Sequence, residues 1–374
     1  MKYVDEFRDG DLARGLARSL ATLARDDRDY RFMEFCGGHT HAISRYGLED
    51  LLPPNIRMIH GPGCPVCVLP VGRIDAAIAL ARDPKVTLCT YADLMRVPAS
   101  GGMSLIKAKA AGADIRMVYS TLDAIRIAEA EPSREVVFFA IGFETTTPPT
   151  ALAIRLAAQK KLSNFSVFCN HVLTPAAMRA ILAGEGEGVE IDGFVGPSHV
   201  SAVIGVRPYQ FAAQQFNKPI VIAGFEPLDV MQSILMLVRQ LNERRCEVEN
   251  QYGRAVTTEG NVKAQAEVAD IFELRDSFEW RGLGEVPASA LRLREAYTDY
   301  DAEHRFCVTT PSAKDNPACE CGAILRGAKR PHDCKLFGTV CTPETPMGSC
   351  MVSSEGACAA QWTYRRFDTQ RAAS

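Results

Sequence analysis

The sequence contains no apolar run long enough to cross a bilayer. Its longest, residues 66–71 and 136–141, fall far short of the roughly 20 residues that a spanning helix requires. It also lacks a surplus of either charge, with 42 Lys and Arg against 45 Asp and Glu for a net charge of -3, and it has no basic stripe interleaved with aromatics. Neither a membrane nor a nucleic acid is therefore expected as a partner. No G-x-G-x-x-G and no Walker A sequence occurs, which removes the common nucleotide-binding loops. The opening stretch MKYVDEFRDGDLARGLARSL is charged throughout and has neither an apolar h-region nor a small-residue cleavage site, so the cytoplasm is the expected location. These exclusions leave a chain of 374 residues, 47% hydrophobic and 23% charged, with enough apolar residues for two or three domains.

Cysteine is the residue in excess. Of 13 cysteines, six (Cys319, Cys321, Cys334, Cys341, Cys350 and Cys358) crowd the C-terminal end, and Cys36, Cys64 and Cys67 lie near the front. In a reducing compartment, clustered thiols point to metal, cluster or redox sites before structural disulfides. Cys89, Cys169, Cys246 and Cys307 stand in no motif and are expected to be packing residues.

Leu12, Leu16, Leu20 and Leu23 recur at helical spacing in an amphipathic opening segment, 1–30, expected to pack on the C-terminal domain. From about 56 to 240, short β-branched or aromatic runs alternate with Ala/Leu/Ile-rich helical stretches. The runs cover 56–60, 86–90, 115–119, 136–141, 165–169, 191–195 and 219–223. This rhythm predicts parallel βαβ units in an α/β fold. The polar segment EAEPSRE at 129–135 marks a division into two lobes, 31–130 and 131–241, although it also suits a surface turn within one sheet. The remainder, 242–374, opens charged and Gly/Pro-rich, carries a predicted helix over 262–275, and turns loop-rich and cysteine-rich from 311. So little apolar material cannot hold such a segment together alone.

Three constellations carry possible chemistry. In the C-terminal group CECG, HDCKLFGTVC and GSCMVSSEGAC, neither paired C-x-x-C zinc ligands nor ferredoxin C-x-x-C-x-x-C spacing occurs. Six thiols on a loop-rich segment suit an iron–sulfur cluster held by four, with two left as a dithiol. A zinc site or unrelated buried cysteines are the alternatives. GPGCPVC, 61–67, places a C-x-x-C at a strand end, as in redox-active dithiols, with Gly and Pro fixing the loop for close approach of another backbone; a plain tight turn is the alternative. FCGGHTH, 35–41, sets Cys36 and His39 three residues apart, a spacing that lets a thiolate and an imidazole meet one metal ion. Two ligands are too few for a closed site, so an open one completed by a partner or by exogenous ligands is implied. A nucleophile–base pair, or His39 and His41 as cap or core residues, fits the residues equally. GFETTTPP and GPSHVSAVIG follow predicted strands, with Glu144 and His199 as their polar residues, and turn formation explains both loops.

Taken together, CGGHTH, GPGCPVC, GFETTTP, GPSHVSAVIG and the terminal array resemble the HypD family of hydrogenase maturation factors over residues 31–364. The resemblance implies two Rossmann-like lobes plus a third domain with a [4Fe-4S] cluster. It implies a scaffold on which the Fe(CN)2CO group of [NiFe]-hydrogenase is assembled with the chaperone HypC, with cyanide delivered by HypE. Carried over by position, Cys36 and His39 hold the iron while HypC supplies a further thiolate, and Cys64 and Cys67 form the redox pair. Cys319, Cys334, Cys341 and Cys358 hold the cluster, and Cys321 and Cys350 form a neighbouring dithiol. Electrons are then expected to pass from the cluster through Cys321/Cys350 and Cys64/Cys67 to the iron at Cys36. The other functional classes that these residues permit are an autonomous thiol–disulfide oxidoreductase and a structural zinc scaffold.

Overall fold

In the computed structural model, residues 4–184 and 189–366 are described; residues 1–3 and 367–374, the ends of the first and last expected segments, lie outside them. The fold is α/β, with two all-parallel sheets and a cysteine-rich, loop-rich C-terminal region. The strands are β1 (Tyr30–Glu34), β2 (Ile56–His60), β3 (Val86–Thr90), β4 (Ile115–Met117), β5 (Glu135–Gly142), β6 (Phe165–His171), β7 (Gly193–Pro197), β8 (Ile220–Ala223) and β9 (Val248–Asn250). One sheet has the order β2-β1-β7-β8-β9 and the other β4-β3-β5-β6. Strands β3 and β6 are buried at every position, because helices cover both faces of the sheet. Two antiparallel ribbons follow, β10 (Phe272–Leu274) with β13 (Leu291–Leu293) and β11 (Ser277–Trp280) with β12 (Gly284–Pro287).

Sheet membership does not follow the expected division. The first sheet takes its strands from both ends of the α/β region, β1 and β2 together with β7, β8 and β9, whereas β3 to β6 form the second. The polar segment at 129–135 is a surface turn between the helix Thr121–Ala130 and β5, within one lobe. Its charge serves solvation, not a domain boundary. The helix Gly10–Leu23 also lies elsewhere than expected. It packs on the helix Pro227–Asn242 against the first sheet, with Leu20 fully buried and Tyr30 donating through its hydroxyl to Asn242 Oδ1 at 2.7 Å. Asp9 caps that helix by accepting from the backbone N–H groups of Asp11 and Leu12. Strand β1 escapes the sequence reading because Arg31 and Glu34 interrupt its apolar run. The helix expected over 262–275 ends at Ile271, where Phe272 enters β10.

Cys89 and Cys169 are buried in β3 and β6 as expected, and Cys246 is half-buried. Cys307 is exposed, so it is not a packing residue.

The seat of the first helix is open to a direct check by urea denaturation. Leu20→Ala is expected to cost about 2–5 kcal/mol, the range for a buried Leu, while Leu12→Ala, at a position 57% exposed, is expected to change stability by no more than about 0.5 kcal/mol. Equal effects would place the helix in another environment.

Candidate functional site

Parallel pairing of β1 with β2 runs in register from Tyr30 with Ile56 to Glu34 with His60, so both strands deliver their following loops to one end of the sheet. Cys36 follows β1 and stands before the helix Gly37–Tyr46; GPGCPVC follows β2. The two loops meet through backbone. Gly37 N–H donates to Gly63 O at 3.0 Å, and a Cβ on Gly63 would lie 2.5–2.8 Å from the backbone atoms of Cys36. Only glycine permits this approach, and it carries Cys64 to the side of Cys36. Cys64 and Cys67 are joined as a disulfide, with Cα atoms 5.2 Å apart.

A buried carboxylate underlies Cys36. Glu34 accepts from Cys36 N–H at 3.0 Å, from the Thr40 hydroxyl, and from His60 Nδ1 at 3.0 Å. Burial opposes a charge on His60, but the hydrogen bond and charge of Glu34 outweigh it and raise the imidazole's pKa. Desolvation pushes the Cys36 thiol well above the ordinary thiol range, and the carboxylates of Glu355 and Glu34 add to the shift. Sequence reasoning missed Glu34 and His60. The available signal was a charged residue inside an apolar run two positions before a motif cysteine.

His39 is fully buried, and burial holds it neutral. Its Nε2 lies 3.1 Å from both Ala223 O and Gly224 O, which makes Nε2 the protonated nitrogen. Nδ1 keeps its lone pair and has no hydrogen-bond partner among the described residues. His39 is thus a core residue at one nitrogen and a free donor atom at the other. His41 instead meets the Tyr364 hydroxyl at 2.8 Å, away from Cys36. The Phe225 ring stands beside both His39 and His199, with ring centres 4.8 and 4.2 Å away. Glu144 lies at the end of β5 in the other sheet, accepting from Thr174 N–H and hydroxyl at 2.9 Å.

The C-terminal region closes over this end of the first sheet. Its helix Ala357–Arg365 packs on the helix Gly37–Tyr46, and the turn Ser349–Met351 packs on Pro65–Val68. Ser349, which sequence reasoning also missed, donates its hydroxyl to Cys67 O at 2.9 Å, and its Oγ lies 3.6 Å from Cys321 Sγ. Cys67 Sγ is 3.9 Å from Ser349 O. One residue therefore touches the C-x-x-C pair and the C-terminal thiols.

All six C-terminal cysteines line one cavity, together with Ile324, Phe337, Gly348 and Met351. Cys321 is held well below the ordinary thiol range by hydrogen bonding with Cys319 and Cys350, and Cys350 is raised by its contacts with Cys321 and Cys358. Cys321 thus neighbours both its expected partner Cys350 and the expected cluster ligand Cys319. Among the described residues, no three His, Cys, Asp or Glu side chains converge as a single ion requires. A [4Fe-4S] cluster takes one thiolate at each iron corner, so its ligands stand around a cavity instead of converging on a point. Six thiols around one cavity are the donor chemistry that such a group takes. Gly348 fits it as well, since a Cβ there would lie 2.5 Å from Cys319 Sγ.

Burial raises the Glu144 carboxyl from 4.5 to about 7. Its proton is held more tightly in the fold than in the unfolded chain, so stability falls as pH rises from about 4.5 to about 7, by about 3 kcal/mol in total. Glu144→Gln is expected to flatten that loss in urea denaturation across this range, and an unchanged slope would contradict the assignment.

Comparison with known proteins gives the family. The family model HypD, described as "Hydrogenase formation hypA family", matches residues 11–365. The hydrogenase maturation factor HypD of Rhizobium leguminosarum bv. viciae is 73% identical over 371 residues, covering 98% of this chain and 96% of the relative. That of Cupriavidus necator is 66% identical, covering 98% of each chain. The HypD of Escherichia coli (strain K12) is 46% identical over 375 residues, covering 99% of this chain and all of its own. Matched along nearly its whole length by model and relatives alike, the chain belongs to the HypD family.

Proposed function

We propose that this protein is a maturation scaffold for a [NiFe]-hydrogenase, on which an iron atom, as cargo, receives its cyanide and CO ligands while held at Cys36 and His39. The observation that carries this reading is the backbone contact of Gly63 with Cys36, which sets a C-x-x-C disulfide beside a lone thiol. A soft thiolate suits low-spin Fe(II), and the unpartnered Nδ1 of His39 is a second donor atom. Two ligands leave an open coordination sphere, for which a thiolate from HypC is the natural completion and HypE the source of cyanide.

Cys319, Cys334, Cys341 and Cys358 would hold the [4Fe-4S] cluster, with Cys321 and Cys350 beside it. Such a cluster supplies electrons singly to its surroundings. The Cys64–Cys67 disulfide takes two electrons and two protons when it opens to two thiols, and gives them back when it closes. Ser349, touching both Cys67 and Cys321, positions the two thiol sets against each other. An autonomous thiol–disulfide oxidoreductase is the weaker reading. Cys64 is 3% exposed and Cys67 is not exposed, so a foreign disulfide cannot reach them, whereas a site built inside the chain can.

Infrared spectroscopy of the anaerobically isolated complex with HypC tests the iron site. CN and CO bands are expected from the parent chain and not from Cys36→Ala; bands that persist in Cys36→Ala would overturn the assignment. Cluster content is checked separately. Cys334→Ala and Cys341→Ala are expected to lose iron and acid-labile sulfide, while Cys246→Ala retains both. A colourless parent with stoichiometric zinc would defeat the cluster reading.

A further inference from the structure

Strand β2 is an outer strand of the first sheet, and its free edge faces a cavity of about 720 Å3. Tyr30 N–H donates to Asn55 O and Gly61 N–H to Glu34 O, so by the alternation of a parallel ladder Arg57 and Ile59 bond to β1 while Ile56, Met58 and His60 turn their backbone groups outward. Pro53 O takes the N–H of Ile56. The N–H and C=O groups of Met58 and His60 have no hydrogen-bond partner among the described residues. Arg57, Met58, Ile59 and His60 all line the cavity. Successive side chains of a strand point to opposite faces, so a cavity that touches four in a row lies along the backbone edge.

An unpaired edge is a template for another strand, and proteins blunt it with charge or a covering loop. Here the segment 327–333 reaches β2 at Ile59, where Gly327 packs with no room for a Cβ, and the cavity opens between them. The opposite wall is the helix Ala357–Arg365, through Gln361 and Arg365. Of the cations in these walls, Arg365 is paired with Glu49 and Asp50, Arg31 with Glu190 and Lys329 with Glu320. Arg57 and Arg330 are exposed and have no carboxylate partner among the described residues. A second copy of this chain would bring the same unpaired cations to the edge, so the complement in charge is an acidic partner.

We propose that the groove along β2 takes an extended acidic segment of a partner protein, which adds as a further strand through the backbone groups of Met58 and His60 and lays carboxylates against Arg57 and Arg330. The proposal does not depend on the iron or cluster assignments. It does bear on their setting: His60 is bonded to Glu34 and Glu34 to Cys36 N–H, so the added strand ends two hydrogen bonds from the Cys36 backbone.

Amide hydrogen exchange of the full chain, read residue by residue by NMR, tests this. The probe is a synthetic peptide of alternating Glu and Val, blocked at both ends. It is expected to slow exchange at Met58 and His60 and to leave Arg57 and Ile59, already bonded to β1, unchanged. A peptide of alternating Lys and Val is expected to bind about tenfold more weakly. The acidic peptide with N-methyl groups on alternate residues keeps its charge but cannot complete the ladder, and its protection of Met58 and His60 is expected to be lost. The double variant Arg57→Glu, Arg330→Glu, changed at exposed side chains, is expected to prefer the Lys peptide. Saturating acidic peptide without protection at Met58 and His60 overturns the proposal. Equal binding of the N-methylated peptide also overturns it, reducing the groove to a general anion site, and equal affinity for the acidic and Lys peptides refutes the choice of partner. Protection that grows with protein concentration in the absence of peptide assigns the edge to a second copy and refutes the proposal.

Discussion

The contact on which the site depends is backbone against backbone: Gly63 pressed on Cys36. It exists because β1 and β2 are neighbouring parallel strands that end in register, so the loops leaving them start side by side. Side chains alone would keep the two loops apart by the width of a Cβ. Removing it brings a disulfide and a lone thiol together without any further device. The same strand ends bring Glu34 to the backbone N–H of Cys36 and His60 to Glu34, fixing the backbone that carries the thiol.

The cysteine-rich region depends on this platform in turn. It has few apolar residues of its own and consists largely of turns and short helices. Its seat is the helix Gly37–Tyr46 on one side and the short helix Pro65–Val68 on the other, so it covers the very loops that carry Cys36, Cys64 and Cys67. Its cysteines belong to the same apolar cluster as Met33, Phe35, Cys64 and Cys67. Stability and chemistry therefore share one interface. A change that loosened the cover would open the thiols to water at the same time.

Much of the local structure was legible in the sequence, because parallel strands covered on both faces leave continuous apolar runs, as at 136–141 within β5. The division into lobes was not. The first sheet closes only when β7 returns beside β1 across more than 150 residues of chain, and local pattern carries no record of such pairing. The polar turn at 129–135 is the stronger local signal and misleads for that reason. In the site, the motif cysteines and His39 stood out by residue type. Glu34 and Ser349 did not, since a lone Glu or Ser is ordinary until its burial and neighbours are known. His39 was ambiguous in the sequence for a good reason: one nitrogen is satisfied in the core and the other is not.

The central claim is that two iron-binding places lie at one end of the first sheet, a cavity among the C-terminal cysteines and an open site at Cys36 and His39. Anomalous diffraction at the iron edge, from crystals of the anaerobically prepared chain bound to HypC, tests it most directly. The account requires a multi-iron peak inside the cavity lined by Cys334, Cys341 and Cys358 and a separate single-iron peak within bonding distance of Cys36. Iron found only elsewhere, or a cavity holding zinc or nothing, would contradict it.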